Sequence, residues 1–526
     1  MVVETRETKQ APEVGNIPPL HEVRLMARRA GEGVRTIPIY REIVADLETP
    51  VSAYLKITEG LTKPGFILES VEGGIRIARH SFIGTDFVST VTLRDGVLTE
   101  TSGDQTTERA YDDPLEAIGE ILEGYASEGA DGLPSLTGGA VGYLSYDAIK
   151  RFESRVGMAE GPALGYPEAQ YHIADSLVVF DHLERVMKVV AHVKLDDPDG
   201  LEASYGKASA RIDGLIARLK GPVRTYPMSA NSQTQAVSNR FRPNTSPERY
   251  REIVNRAKEY IHEGDIFQVV LSQRVDIPSD AHPFTMYRAL RMVNPSPYMF
   301  YLDFGQHQVV GASPELLVRL EDGVVTNHPI AGTRPRGATT LEDQQHEVDL
   351  MADEKERAEH IMLVDLGRND VGRVSKPGSV HVPKLMEVER FSHVMHIVSH
   401  VEGQIDARFG AMDALRSCFP AGTVSGAPKI RAMEIIAELE TDKRGVYSGA
   451  VGYFDFSGGM DTCIALRTMV VSNGVASLQA GGGIVADSTP DGEYAESFHK
   501  MRALVRAIER AEAIEAAELA STGNGA

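Results

Sequence analysis

The chain has no tryptophan and only two cysteines, Cys418 and Cys463, in 526 residues. Two cysteines make no disulfide framework, and their scarcity points to a reducing compartment, so the expected location is the cytoplasm. Long apolar runs are also missing. No stretch of about 18 residues reads as a membrane span. The N-terminal MVVETRETKQAPEVGNIPPL mixes both charges and lacks the apolar core of a secretory signal. Positive charge is in short supply: Lys and Arg total 54 against 75 Asp and Glu, a formal net charge of −21. A surface that acidic disfavours nucleic acid and anionic lipid as partners. It also means that any small anionic substrate must be met locally by a metal ion or an arginine. What is present, 42% hydrophobic and 25% charged residues, is the balance of a globular protein. The length exceeds one ordinary core, so two or three domains, or one large α/β body, are expected.

Residues 1–35 are polar and contain proline, and read as a loose N-terminal arm. Residues 36–220 form an N-terminal half, with strand-like alternation at Ser52 to Ile57 and at Gly65 to Ser70. Residues 221–246 are rich in Ser, Asn, Gln and Pro without an apolar period, and read as a linker or long loop. The region 247–512 opens with a helix in which Tyr250, Ile253, Ala257 and Ile261 recur at helical spacing and Gly264 supplies the stop. Residues 513–526 read as a fraying helical tail. The pentapeptide GAVGY occurs at Gly139 to Tyr143 and again at Gly449 to Tyr453, each time before a strand with aromatic residues and Asp. The repeat points to two related sheets packed together.

The acidic residues are patterned. On the expected helix around Asp353 to Val371, Glu359 shares a stripe with Met362, Leu363 and Leu366, and Glu356 lies one turn earlier. On a second helix after Thr489, Glu493, Glu496 and Lys500 form a stripe beside the apolar Phe498, Met501, Val505 and Ile508. Each Glu taken alone reads as a solvated salt-bridge partner. Two helices that each offer paired, partly inward carboxylates suit Mg²⁺, with water and substrate oxygens completing its shell. The glycines of QAGGGIVADS let backbone N–H groups approach an anion or form a tight bend. PAGTVSGAPK reads as a loop opening a helix, a plausible anion cradle. Arg467 lies inside the strand-like CIALRTMVV and needs a buried partner such as a carboxylate. His396 shares a strand face with Val394 and Val398, either as a satisfied core histidine or as a pocket acid or base.

The motifs PIAGTRPRG, DEKERAEHIMLVDLGRND, PAGTVSGAPK, GAVGY, ALRT, AGGGIVADS and DGEYAESFHK follow one another in the order found in the chorismate-utilising enzymes. These include anthranilate, aminodeoxychorismate, isochorismate and salicylate synthases. The resemblance covers most of residues 247–512, which it makes the chorismate-binding catalytic region, with 36–220 as a regulatory and structural half. PVSAYLK and ILES add a weaker match there. The fold it implies is α/β, with two antiparallel β-sheets packed face to face and helices outside. It implies Glu359 and Glu496 as Mg²⁺ ligands, with Glu356 and Glu493 behind them or bridged by water. Tyr447 and Arg467 resemble the clamp on the enolpyruvyl carboxylate. Gly332, Thr333, Thr423, Gly481, Gly482 and Gly483 resemble further chorismate contacts. Glu315, in GASPELL, resembles the general acid for the ring 4-hydroxyl, His396 the histidine of pyruvate elimination, and Lys500 a residue beside the ring carboxylate and metal.

Two positions separate the branches of the family. Isochorismate and salicylate synthases carry a lysine that activates water where FQVVLSQR has Gln268, and aminodeoxychorismate synthases carry a nucleophilic lysine where PIAGT has Ala331. The chain is therefore most similar to the anthranilate-forming branch, with the aminodeoxychorismate branch as the alternative. That branch takes ammonia from a separate glutamine amidotransferase subunit, commonly in a heterotetramer, and neither Cys418 nor Cys463 lies in a glutaminase-like motif. ILES and NPSPYMFYL resemble a feedback site for tryptophan, with Glu69, Ser70, Asn294, Pro297, Tyr298 and Met299 as candidates, although ordinary strand packing would account for the same residues.

Overall fold

Strands Ala169–Ala174 and Ser176–Asp181 are buried at every position, so they need a packed layer on each side. The computed structural model, which describes residues 15–70, 79–130, 132–159, 161, 164–228, 236–391 and 394–523, supplies those layers. Two 12-stranded sheets lie face to face. Phe66, Leu177, Val179, Phe300 and Leu302 of the first sheet share an inner core with Val141, Tyr143, Val451 and Cys463 of the second. Helices Pro50–Ile57, Leu201–Leu219, Pro283–Val293 and Pro490–Gly523 cover the outside of the first sheet. Helices Pro114–Glu123, Pro247–Glu263, Ala411–Cys418 and Lys429–Leu439 contribute to the core on the outside of the second. Among the described residues, no helix is long and apolar enough to cross a membrane.

Each half of the chain traces the same path. From the middle of the first sheet outward, one side runs Gly65–Glu69, His80–Thr85, Ser176–Asp181, Val186–Lys194 and Thr36–Val44. The other side runs Tyr298–Asp303, Gln308–Ser313, Thr468–Ser472, Val475–Ile484 and Gln268–Pro278, in the matching chain order. The sides join where Met299 faces Glu69. The second sheet joins at Gly139–Leu144 and Ala450–Asp455, where the two GAVGY copies pair antiparallel with Gly142 opposite Gly452. A Cβ at either glycine would come within 2.0 or 2.1 Å of a neighbouring carbonyl oxygen. The repeat therefore marks a duplicated topology. Each half contributes strands to both sheets, so the halves are not separate sheets.

Four local expectations are corrected. Residues Ser52 to Ile57 lie in helix Pro50–Ile57, because Thr49 and Ser52 form a reciprocal capping box and Pro50 opens the first turn. The described part of the expected arm holds helix Leu20–Arg29, tied down by buried Val23 and by Arg24 at 2.6 Å from Glu202; residues 1–14 lie outside the described residues. The expected linker buries Tyr226, Val237 and Arg240 where it is described, and Arg240 bonds Glu512 through both terminal nitrogens. The C-terminal helix continues to Gly523, because buried Glu515 accepts hydrogen bonds from His282 N and Thr285 Oγ1 at 2.8 and 2.6 Å.

Strands also change sheets. CIALRTMVV divides into Met460–Ile464 in the second sheet and Thr468–Ser472 in the first. The chain turns between them at Arg467, whose φ is +47°. Gln308–Ser313 and Leu316–Glu321 divide in the same way, with Glu315 at the crossing.

Candidate active site

Helix Glu354–Gly372 starts at Asp353, whose carboxylate accepts from the backbone of Lys355 and Glu356. One turn further in, Glu359 Oε1 accepts a 3.1 Å hydrogen bond from Gln268 Nε2. Helix Pro490–Gly523 brings Glu493, Glu496 and Lys500 to the other side. Lys500 Nζ lies 2.8 Å from Glu496 Oε1 and donates to Gly481 O at 2.9 Å. Both helices converge on the glycine end of Val475–Ile484. A Cβ on Gly482 would stand 2.2 Å from Glu493 Oε2 and 3.6 Å from Glu496 Oε1, and one on Gly483 would stand 2.4 Å from Gln268 Nε2. A side chain at Gly482 would displace the Glu493 carboxylate and one at Gly483 the Gln268 amide, and this close approach explains both glycines.

Negative charge here is in excess. Burial raises the pKa of Glu493, Ser488 opposes and the neighbouring Glu496 adds to the rise; burial, then Glu359, raises that of Glu356, which Arg334 offsets from 3.4 Å. Glu493 Oε2 is buried and has no hydrogen-bond partner, so it is an acceptor with capacity to spare. Among the described residues, no three His, Cys, Asp or Glu side chains converge tightly enough to hold a metal by themselves.

Glu315 is buried at its sheet crossing, and its Oε1 accepts from Thr423 Oγ1 at 2.8 Å. Burial pushes its carboxyl up to about 7, with the Thr423 hydroxyl and the Lys500 charge opposing. Tyr447 is buried with its ring 5.7 Å from the Arg444 guanidinium. Burial raises its pKa, and the charges of Arg444 and Lys500 oppose. His396 Nδ1 sits 2.9 Å from Gly332 O and 3.1 Å from Thr333 Oγ1. Burial lowers its pKa, the Gly332 bond opposes, and Arg467 lowers it further. An Nδ1–H donated to that carbonyl leaves Nε2 as the basic nitrogen. Arg467 Nη1 reaches Asn294 Oδ1 at 3.5 Å. The structure thus brings together Gln268, Glu359, Glu493, Glu496, Lys500 and the three glycines. Lys500 connects them electrostatically to Glu315 and Tyr447, and Glu356, whose Oε2 would lie 3.2 Å from a Cβ on Gly332, connects them to the Gly332, Thr333 and His396 group.

A second cavity of about 160 Å³ lies at the seam between the halves. Glu69, Ser70, Pro297, Tyr298 and Met299 line it. Asn294 does not: it bonds Arg467 and Ser296, so it belongs to the edge of the first site. Glu69 accepts from the Tyr287 hydroxyl and pairs with Arg291 at 2.7 Å. Sequence reasoning missed Arg319 and Asp461, which line the same cavity, face each other across paired strands and form a 2.9 Å ion pair. No local pattern marks them, since only strand register brings them together. It also missed fully buried Arg444, which bonds Glu440 and the carbonyls of Val424 and Val270, beside Thr423 and beneath Tyr447. A Glu followed four residues later by Arg was the available signal.

A family model described as chorismate binding enzyme matches residues 68–506. Anthranilate synthase component 1 of Pseudomonas putida is 47% identical over 494 residues, covering 92% of this chain and 98% of that protein. The protein of that name from Acetivibrio thermocellus is 45% identical over 501 residues, covering 94% and 99%. The crystal structure of anthranilate synthase component I from Streptococcus pneumoniae aligns with a TM-score of 0.70 at 38% identity, covering 88% of this chain and 99% of that one. The menaquinone-specific isochorismate synthase of Escherichia coli shares the fold, with a TM-score of 0.66 at 19% identity over 93% of this chain and 98% of that one. By its site, its fold and these likenesses, the chain belongs to the family of chorismate-binding enzymes.

Proposed function

We propose that this chain is the chorismate-converting component of an anthranilate synthase, a lyase acting in the cytoplasm at the first committed step of tryptophan synthesis. It aminates chorismate at ring C2 with ammonia and then eliminates pyruvate to give anthranilate. The observation that carries the reading is the bond from Gln268 to Glu359. The side chain at the nucleophile's position is a neutral amide held on a carboxylate, with no base to activate water. Ala331, where a covalent nucleophile would stand, has no reactive atom. The named relatives support the same branch.

The donor set fits Mg²⁺. Glu359 and Glu496 would hold it, with Glu356 and Glu493 behind them, and the orphaned Glu493 Oε2 and the mutual repulsion within each pair support this. Bound there, the ion would offset the ring carboxylate's charge. Arg467 and Tyr447 clamp the enolpyruvyl carboxylate, and Lys500 adds positive charge on the other side. Glu315, kept protonated near neutrality by burial, donates its proton to the departing 4-hydroxyl. His396 then takes the C2 proton as pyruvate leaves. Ammonia comes from a separate glutamine amidotransferase subunit, because both cysteines are buried and burial raises their thiol pKa values, Cys418 to about 12.

The second cavity is the proposed tryptophan site. It joins apolar walls such as Pro297, Val451 and Met460 to the charges of Glu69, Arg319 and Asp461, a match for an amphiphilic amino acid. Asn294, three residues before Pro297, bonds Arg467, so movement of this segment reaches the substrate clamp. The test of the main reading is product identification with purified chain, chorismate, ammonium and Mg²⁺. Anthranilate and pyruvate should appear in equal amounts, and glutamine should serve only when the amidotransferase is added. Aminodeoxychorismate or isochorismate as the product would overturn the reading.

A further inference from the structure

Glu315 and Thr423 also line a separate cavity of about 30 Å³, whose other walls include His328, Leu366, Asp370 and Cys418. That volume admits one or two water molecules. Leu366 and Asp370 in turn line a cleft of about 610 Å³ with the exposed residues Asn369 and Arg373 on its wall. Asp370 therefore stands between the two spaces. It is buried, one oxygen accepts from Lys429 Nζ at 2.7 Å, and the other, Oδ1, is buried with no partner. An unsatisfied carboxylate oxygen beside a water-sized space is the usual mark of an ordered water.

We propose that this cavity is a passage for water and protons behind the amination step, with Asp370 as the relay between Glu315 and the solvent in the cleft. The proposal rests on the reading of Glu315 as the acid. As the nitrogen lone pair forms the C2–N bond, both ring double bonds shift and the C4–O bond breaks with its electron pair on oxygen. The Glu315 proton completes that oxygen as water. The products are a ring ammonium, one water and a Glu315 carboxylate, so each turnover leaves a water to remove and a proton to restore at a buried group. The ring ammonium later gives its extra proton to solvent, which closes the balance. Of the titratable groups around the cavity and Asp370, burial drives His328 down to about 3 and Cys418 up to about 12, so neither exchanges a proton near neutrality. Lys429 Nζ is tied to Asp370 by the 2.7 Å ion pair. Asp370 remains as the group able to pass the proton on.

The test compares the parent with Asp370→Asn, and with Asp370→Leu combined with Lys429→Met so that no buried lysine is left unpaired. Rapid mixing of chorismate, ammonium and Mg²⁺ follows the first turnover and the steady state separately. Mixed below pH 7, where Glu315 begins protonated, both variants should complete a first turnover at the parent's rate. Steady-state kcat should then fall roughly tenfold or more, with kcat/KM for chorismate unchanged, as the return of the proton becomes limiting. The solvent deuterium isotope effect on kcat should rise, and a small carboxylic acid such as formic acid should restore part of the rate. Equal slowing of the first and later turnovers, or parent-like kcat and isotope effect in both variants, would overturn the passage while leaving the assignment of Glu315 intact. Absence of an aminated product in the parent would overturn that assignment and the passage together.

Discussion

Strands Val186–Lys194 and Val475–Ile484 occupy equivalent places in the two halves, each paired with the outer long strand of its side of the first sheet. Toward the end of the latter, Gly481, Gly482 and Gly483 face Ser272, Leu271 and Val270. Toward the end of the former, Ala191, His192 and Val193 face Ile39, Pro38 and Ile37. His192 is fully buried and bonds Thr36 Oγ1 at 3.0 Å and Thr137 Oγ1 at 3.2 Å, with its ring edge-on to Phe456. Burial lowers its pKa to about 3, so it is a neutral plug. The sheet crossings differ in the same sense. Asp175, between Ala174 and Ser176, is paired with Arg211 at 2.8 Å, whereas the crossing in the other half carries Arg467 beside the proposed substrate site. One half closes its crevice with matched polar groups. The other strips side chains from the strand and leaves carboxylates in excess. The fold supplies the strand pair twice, and glycine together with uncompensated charge sets one of them apart as the proposed site.

The sharpest way to break this comparison is to plug the open half. Gly482→Leu places a side chain where Glu493 Oε2 already stands 2.2 Å from the Cβ position. Turnover should drop roughly 100-fold or more through misplacement of the carboxylates, with the melting temperature near the parent's. The reciprocal change, His192→Ala, should leave kcat in place while costing about 2–4 kcal/mol in urea unfolding, from two lost buried hydrogen bonds and a cavity. A stable, inactive His192→Ala protein would mean that the closed half takes part in catalysis.

Next in size are the acids. Glu359→Gln and Glu496→Gln should each lower turnover about 100-fold while keeping shape and fold, as expected for a lost ligand. Near-normal activity in Glu496→Gln would remove the metal assignment. For Glu315, with a pKa near 7, the protonated form is the working one, so kcat at a fixed concentration of free ammonia should fall as pH rises through about 7. Glu315→Gln should be slower by about 100-fold and lose that limb; a limb that persists belongs to another group. The smallest effect on turnover belongs to the seam. Ser70→Phe should keep kcat yet abolish inhibition by tryptophan, a coupling of about 1–3 kcal/mol. Unchanged sensitivity would place the inhibitor elsewhere.

The side chains of the proposed site were legible because their motifs are local. Spacing places Glu359 and Glu496 on helical stripes but fits solvated salt-bridge partners as well, and the order of the family's motifs is what singled them and the glycines out. The GAVGY repeat showed that the halves are related, but whether the copies lie in one sheet or in two depends on pairing between distant strands. Ser52 to Ile57 alternates like a strand, yet one capping box made it a helix. The C-terminal tail looked free because its anchor, Glu515, meets backbone and hydroxyl donors some 230 residues away. Arg319 with Asp461, and Arg444 under Tyr447, were invisible for the same reason: a buried charge is identified by its partner, and the partner is a matter of register.

The claim that one of two equivalent crevices binds substrate is tested most directly by calorimetric titration of chorismate with Mg²⁺ present and ammonia absent. The parent should bind one chorismate per chain, His192→Ala should do the same, and Gly482→Leu should bind none. Two sites per chain in the parent, or binding lost in His192→Ala and kept in Gly482→Leu, would contradict it.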